Sequence, residues 1–452
     1  MPASDEQSRP IEIKDSQGIS LGGVQYNYFR DPRQRRALIL LALLIVLVGG
    51  VVVAAIRYRQ PRRMSGDLRI AVAGFTVEGD ENQSQAGIDL AERVRQELQP
   101  NLAENENGLI ITVWGPQEPE VGALSGKDAV QRSAAAAQLA ERIQADMIVY
   151  GVIDAGQDPW QITPEFYLSD QNLNDASEIT GAHAWGVPFS LKGQGGVSGR
   201  LEFSRFISPR IQALTALSIG LAYYAVKDYR AALEVFTSPQ TRQYWADQED
   251  QQLLYLLAGN AAGKSGDFER AEQAYRQSLL IDPEYARARI GLAGMYYLRA
   301  LQPYNQSNIP ADIDRSLLDS SITGYQQALL AQHRPPQADI TAKAHFGLGQ
   351  CYLMQNYAAG ETRFAAAAAE LQSVLAAYGN GQNPRLQELA AEAHARLGLI
   401  ADLSGQPQLA AAEYAQAADL TRYDSARHKL YERRAQTLAA RSPRSSGESK
   451  TP

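Results

Sequence analysis

The sequence predicts three structural parts: one membrane-spanning helix near the N-terminus, a small α/β domain, and an α-helical solenoid. Three observations predict it. Residues Ala37–Ile56 form an unbroken apolar run. From about 67 to 190, short strand-like runs alternate with segments of helical period. From about 210 to 440 almost no strand signal remains, and small and aromatic residues recur at fixed offsets. A length of 452 residues is too great for one ordinary core and suits roughly two or three folded units.

Residues 1–36 read as a largely disordered N-terminal tail. Within it Ile11, Ile13, Ile19, Leu21, Val24 and Tyr26 partly alternate with polar residues, the pattern of one or two short strands with nothing of their own to pack on. Such a segment can also add a strand to a partner chain. Residues 37–56, ALILLALLIVLVGGVVVAAI, carry no charged side chain. At about 1.5 Å per residue they cross the roughly 30 Å hydrocarbon core of a bilayer. The polar stretch before this run and Arg57, Arg59, Arg62 and Arg63 after it fit a retained anchor rather than a cleaved signal. Arg30, Arg33, Arg35 and Arg36 balance the charge on the other side, so the positive-inside rule does not decide orientation. A lone span near the N-terminus often acts as a signal anchor, which places the large C-terminal part outside the cytoplasm. The small-residue pair Gly50 and Ala54 reads as chance spacing.

After a linker at 57–66, Leu68–Phe75 and Leu109–Trp114 read as strands, Asp146–Ile153 as a third and Gln161–Leu168 as a fourth. Between them lie helices with apolar faces at Ile88, Ala91, Val94 and Leu98, and at Val130, Ala134, Ala137 and Ile143, the second opened by a capping box at Ser125 and Asp128. Strand–helix–strand–helix–strand builds a right-handed parallel sheet with covering helices. The segments RIAVAGF, LAERIQADMIVYGVI and ITPEFYLSD make this domain, 67–190, resemble the TolB amino-terminal-like domain. That resemblance implies a binding or assembly module and supplies no catalytic residues. Asp154 and Asp158 follow the third strand, where α/β folds often bind ligands, but read as a solvated loop.

A linker at 191–209 leads to the helical region, 210–440. Gly220 is followed by Tyr223, Ala232 and Phe236, at offsets of three, twelve and sixteen. The same offsets recur from Gly259 to Ala262, Ala271 and Tyr275, and from Gly398 to Ala401, Ala410 and Tyr414. They set a small residue where two helices cross and an aromatic where the pair packs on the next. The segment SGDFERAEQAYRQSLLIDPEYARA resembles the tetratricopeptide repeat closely. Two further units depart from the pattern. In one, Ala293 and Tyr296 precede an insertion around Pro303–Ser316 that delays the helix carrying Tyr325 and Ala328. In the other, Gly349 and Tyr352 are followed by Glu361 in the alanine place, so the second helix is placed later, at Phe364–Ala377. About five units result, with Asp424–Ala440 as a closing helix and 441–452 as a disordered tail.

The tetratricopeptide resemblance implies a groove, lined by the first helix of each pair, that holds an extended peptide or a partner helix. By alignment it assigns Asn260, Lys264, Arg287, Tyr297, Lys343, Gln350, Glu392 and Asp402 to that groove. Members that clamp a C-terminal carboxylate use Asn with several Lys or Arg; Asn260, Lys264, Arg287 and Lys343 supply part of that set in an incomplete pattern.

Other signals are decoys. The segment GNAAGKS, Gly259–Ser265, has three residues between its glycines where a phosphate-binding loop needs four. The run GQGGVSG, Gly193–Gly199, lacks dinucleotide-binding spacing and reads as a connector. His345 and His394 each stand four residues before a repeat glycine, a place for an imidazole hydrogen-bonded inside the stack rather than a metal ligand. Cys351, the only cysteine, reads as a small core residue and excludes a disulfide framework. With 43 basic and 50 acidic residues the net charge is −7, which disfavours nucleic acid as a main partner. The expectation is a non-enzymatic, single-pass membrane scaffold that binds a protein partner and uses neither cofactor nor metal. The alternative is a membrane sensor whose α/β domain binds a small ligand and signals through the array.

Overall fold

The computed structural model describes residues 62–441, apart from 79–83, 104–107, 157–158, 170, 174–178, 192–196, 247–249, 335–338, 362–363 and 384–385, and the backbone of 19–21 and 24–26. The expected membrane span at 37–56, the C-terminal tail and Asp158 lie outside the described residues. Among those described, no helix is long and apolar enough to cross a membrane. The chain divides into two compact units, 1–62 and 63–452. In the first, β1 (Ile19–Leu21) and β2 (Val24–Tyr26) pair antiparallel with Ile19 opposite Tyr26; Ile11 and Ile13 lie outside the described residues.

The second unit begins with the α/β lobe. Its elements are β3 (Leu68–Val72), β4 (Thr76–Glu78), α1 (Ser84–Ala103), β5 (Ile111–Trp114), α2 (Ala129–Ile143), β6 (Met147–Asp154), β7 (Trp160–Leu168), β8 (Gly181–Ala184) and β9 (Phe189–Leu191). The strand order is β5-β3-β6-β7-β8, with β4 on β6 and β9 on β7. Crossover helices make β5, β3 and β6 parallel, as the alternating pattern requires. The sheet is nevertheless mixed. Residues 155–159 are too few for a crossover, so the fourth strand, β7, returns antiparallel along β6. The edge strands β8 and β9 carry almost no sequence signal. Helix α2 opens on Asp128, whose carboxylate accepts from Gln131 N–H, rather than on Ser125.

Alternation along β3 serves both faces of the sheet. Leu68, Ile70 and Val72 join Ala91, Val94 and Leu98 of α1. Ala71 and Ala73 join Leu139, Ala140 and Ile143 of α2. Arg69 of β3 is bidentate to the fully buried Asp146 (Nη2–Oδ1 2.7 Å, Nε–Oδ2 3.0 Å), which locks two neighbouring strands in register.

The expected linker at 191–209 is largely helical. Helix α3 (Val197–Ala225) starts inside it and continues through the first repeat position. It packs on α1, β3 and β9 of the lobe, and on α4 (Tyr229–Thr237) and α5 (Pro239–Trp245) of the array. One apolar cluster therefore runs from Leu68 to Met295, and lobe and array share a core.

The remaining pairs are α6 (Gln251–Ser265) with α7 (Phe268–Ile281), α8 (Ala286–Ser307) with α9 (Arg315–Leu330), α10 (Ile340–Ala358) with α11 (Ala365–Tyr378), and α12 (Gln387–Leu403) with α13 (Pro407–Leu420). Helix α14 (Ser425–Ala439) closes the stack. The insertion at 303–316 is partly helical: α8 runs on through Pro303 to Ser307, a 3₁₀ turn follows at Pro310–Asp312, and α9 starts at Arg315.

The repeat offsets have a direct steric basis. The ring of Tyr275 lies where a Cβ on Gly259 would come within 2.6 Å of it and one on Gly291 within 2.5 Å. Its hydroxyl donates to Asn260 Oδ1 at 2.7 Å. Phe236 faces Gly220, Tyr325 faces Gly347, and Tyr414 faces Gly398 in the same manner; in the fourth pair Leu371 faces Gly349. Gly263, one turn from Gly259 in α6, has only the Ala271 methyl at 3.9 Å. Overpacking a tight crossing costs about 1–3 kcal/mol, whereas replacing an unconstrained helical glycine by alanine gains roughly 0.5–1 kcal/mol. Gly259→Ala is expected to lower unfolding free energy by that first amount and Gly263→Ala to raise it by the second, both read from denaturant midpoints.

Candidate functional site

The first helices of successive pairs, α6, α8, α10 and α12, touch one another along the array. The repeat register sets equivalent positions on them. Arg287, Lys343 and Glu392 each precede the crossing residues Ala293, Gly349 and Gly398 by six places, while Tyr297 and Asp402 follow theirs by four. Proximity follows from this stacking: Arg396 on α12 lies close enough to Tyr297 on α8 for its charge to act on the phenol, although α10 stands between them. Burial is the larger influence and pushes the Tyr297 hydroxyl up to about 12.

Of the eight residues assigned to the groove, two are inside the protein. Asn260 is 5% exposed and accepts the Tyr275 hydroxyl, so it is part of the crossing itself. Arg287 is 2% exposed and belongs to the junction with the lobe. Its Nη2 donates to Thr180 O at 2.8 Å and its Nη1 lies 3.0 Å from His183 Nδ1 and 3.2 Å from Nε2. Beside it the Asp250 carboxylate, just before α6, accepts Ala184 N–H at 2.8 Å. The lobe thus covers the start of the inner face. The partial carboxylate clamp loses two of its four members to burial.

At the other end, Glu392 accepts the Tyr431 hydroxyl at 2.6 Å and lies 3.7 Å from Arg427, both on α14. Asp402 pairs with Arg441 at 3.0 Å. Tyr297 and Gln350 are half-buried between these ends, as is Lys343, whose ammonium is itself buried, and Lys264 is exposed near the end of α6. Two troughs of about 610 and 420 Å³, lined by second helices together with α6 or α8, contain none of the eight.

The histidines at the equivalent positions tie first helix to second: His345 Nδ1 is 2.6 Å from Glu370, and His394 Nδ1 is 2.7 Å from Glu413. Both are half-buried and hydrogen-bonded. Cys351 is fully buried 3.3 Å from Ser321 Oγ, and burial pushes its thiol up to about 12. Among the described residues no three His, Cys, Asp or Glu side chains gather as a metal site. Nothing in the short strand GAHA advertised His183 as the partner of Arg287; a lone histidine on an apolar strand was the only available hint.

A family model described as tetratricopeptide repeat matches residues 253–285, which hold α6, α7 and the turn to α8. This is a tetratricopeptide-repeat-containing chain. No curated protein matches it. Among solved structures, the chain is similar to a thermophilic TPR protein of Thermus thermophilus, at 18% identity and TM-score 0.36, covering 50% of this chain and 99% of that one. It is similar to the type IV pilus biogenesis factor PilW at 19% identity and TM-score 0.32, covering 51% and 94%. A monomeric IFIT1 mutant solved with Gppp-AAAA is similar at 12% identity and TM-score 0.38, covering 79% and 77%.

Burial separates Arg287 from Lys264. Removing a charged partner from buried acceptors costs roughly 2–4 kcal/mol, while an exposed change costs under about 0.5 kcal/mol. Arg287→Ala is expected to destabilise the protein by the larger amount and Lys264→Ala by the smaller, measured by equilibrium unfolding.

Proposed function

We propose that this chain is a membrane-anchored scaffold that binds a partner peptide or helix on the inner face of its tetratricopeptide array. The observation that carries the reading is the unbroken stack of first helices whose inner positions Tyr297, Lys343 and Gln350 lie between two closed ends. Such stacks bury one apolar spine and leave an extended face for another polypeptide. The lobe and α14 limit that face to the third to fifth pairs. The apolar run 37–56 supports anchoring, which raises the effective concentration of a partner at the same membrane. Its work is recognition, without cofactor or catalysis, and the large C-terminal part lies outside the cytoplasm.

The sensor reading draws support from α3, whose shared packing would pass a change in the lobe to the array. Against it, the C-terminal end of β3 is occupied by the chain itself. Gly74 N–H donates to Gly122 O at 2.9 Å, Leu124 N–H to Gly74 O at 3.2 Å, and Thr76 Oγ1 to Leu124 O at 3.0 Å.

A photo-crosslinking side chain placed at Tyr297 or Gln350 in the full chain is expected to capture a defined polypeptide. Lys343→Glu should cut the yield about tenfold, the equivalent of ~1.4 kcal/mol. Absence of an adduct at both positions would remove the groove from consideration. Separately, the protein should stay in the membrane pellet through alkaline extraction, and deletion of 37–56 should release it. Protease added to intact cells should digest 67–452 if the orientation is as proposed.

A further inference from the structure

We propose that the contact between β8 and α8 is an acid-labile latch, in which protonation of His183 releases the segment 179–187 from Arg287 while the later repeats stay packed. This goes beyond the scaffold reading and does not depend on it.

The geometry opposes a charged ring. His183 is 5% exposed and stacked on Phe166 with ring centroids 5.1 Å apart. Its Nε2 lies 2.8 Å from Ile179 O, which an N–H at that atom satisfies. Arg287 Nη1 lies 3.0 Å from Nδ1 and 3.2 Å from Nε2, so the guanidinium sits against the ring as a whole, close to both nitrogens. A second proton on the ring would place two cations in contact away from water. Burial, and then the charge on Arg287, hold the imidazole well below its ordinary range.

The surrounding elements offer little relief. The turn before α8 contributes the Tyr285 hydroxyl, 3.5 Å from Arg287, and Asp282, which is bonded to His333 at 2.7 Å. Asp250 precedes α6, and its two oxygens accept Ala184 N–H and the Gln252 amide. Helix α3 contributes another cation, Arg210, held by the Phe206 and Val187 carbonyls. Arg132 of α2 and Glu165 of β7 pair with each other, and Glu165 neighbours Phe166 on β7 and so points to the opposite face of the sheet.

The other four histidines stand in the opposite electrostatic setting. His333, His345, His394 and His428 lie 2.7, 2.6, 2.7 and 4.0 Å from Asp282, Glu370, Glu413 and Glu432. His183 faces a guanidinium where these four face carboxylates. Arg287 shares its repeat position with Lys343 and Glu392, so opening returns a guanidinium to the inner face.

The sign follows from proton uptake. The closed state holds His183 neutral and the open state lets it charge. Closure is thus fully stable above the ordinary histidine range and weakens as pH falls through it, the opening constant rising about tenfold per pH unit below ~6.5. Hydrogen exchange on the full chain in detergent micelles, from pH 7.5 to 5.0 and corrected for intrinsic rates, tests this. Protection of 179–187 and 285–291 should fall with that slope, while 387–420 holds within about threefold. His183→Gln keeps a donor and an acceptor without taking up a proton, and should flatten the slope. Flat protection in the unaltered protein, an equal slope in His183→Gln, or uniform loss across 387–420 would overturn the latch. Should the variant not fold, the contrast between the two segments of the unaltered protein decides alone.

Discussion

The ring of Tyr275, seated between two glycines that have no room for a side chain, sets the spacing on which the array depends. It brings the backbones of α6 and α8 to the same aromatic surface and so joins two helical pairs with one residue. Aromatic burial contributes a large apolar area, and the Tyr275 hydroxyl on Asn260 adds a direction to it. Phe236 and Tyr414 make the within-pair half of this contact, on Gly220 and Gly398, and Tyr325 makes the between-pair half on Gly347. Ser278 and Ser321, both fully buried, repeat a second link by donating to Gln252 O and Ala293 O of the preceding first helices.

Helix α3 extends that order into the lobe. Two indoles donate to its carbonyls from opposite sides of the junction: Trp185 of the lobe to Arg210 O and Trp245 of α5 to Ala213 O, each at 3.0 Å. Apolar contact alone would tolerate rotation of one body on the other. Directional hydrogen bonds inside a shared core remove that freedom, because a small displacement leaves buried donors without acceptors. The position of the lobe on the array is therefore a property of the fold.

Much of the architecture was legible. The three parallel strands, the helix that begins after Phe364, the closing helix from Asp424 and the crossing residues of four pairs follow from short-range pattern, because period and steric offset are written locally. Legibility failed where a residue's neighbour is distant in the chain. Arg287 has the repeat position of a groove residue, yet its partners are more than a hundred residues earlier, in a strand of four and the residue before it. The segment 191–209 reads as a connector from its glycines, but its second half is helix because α1 and β9 offer it an apolar surface.

Sequence alone therefore determined which elements form, their repeat register and the presence of an apolar run at 37–56, since each depends on residues within a few turns of one another. Only the tertiary structure decided which groove positions remain accessible and which become structural. That outcome depends on burial, and burial is fixed by segments brought together from far apart in the chain: the His183 imidazole on Arg287, and α14 on Glu392.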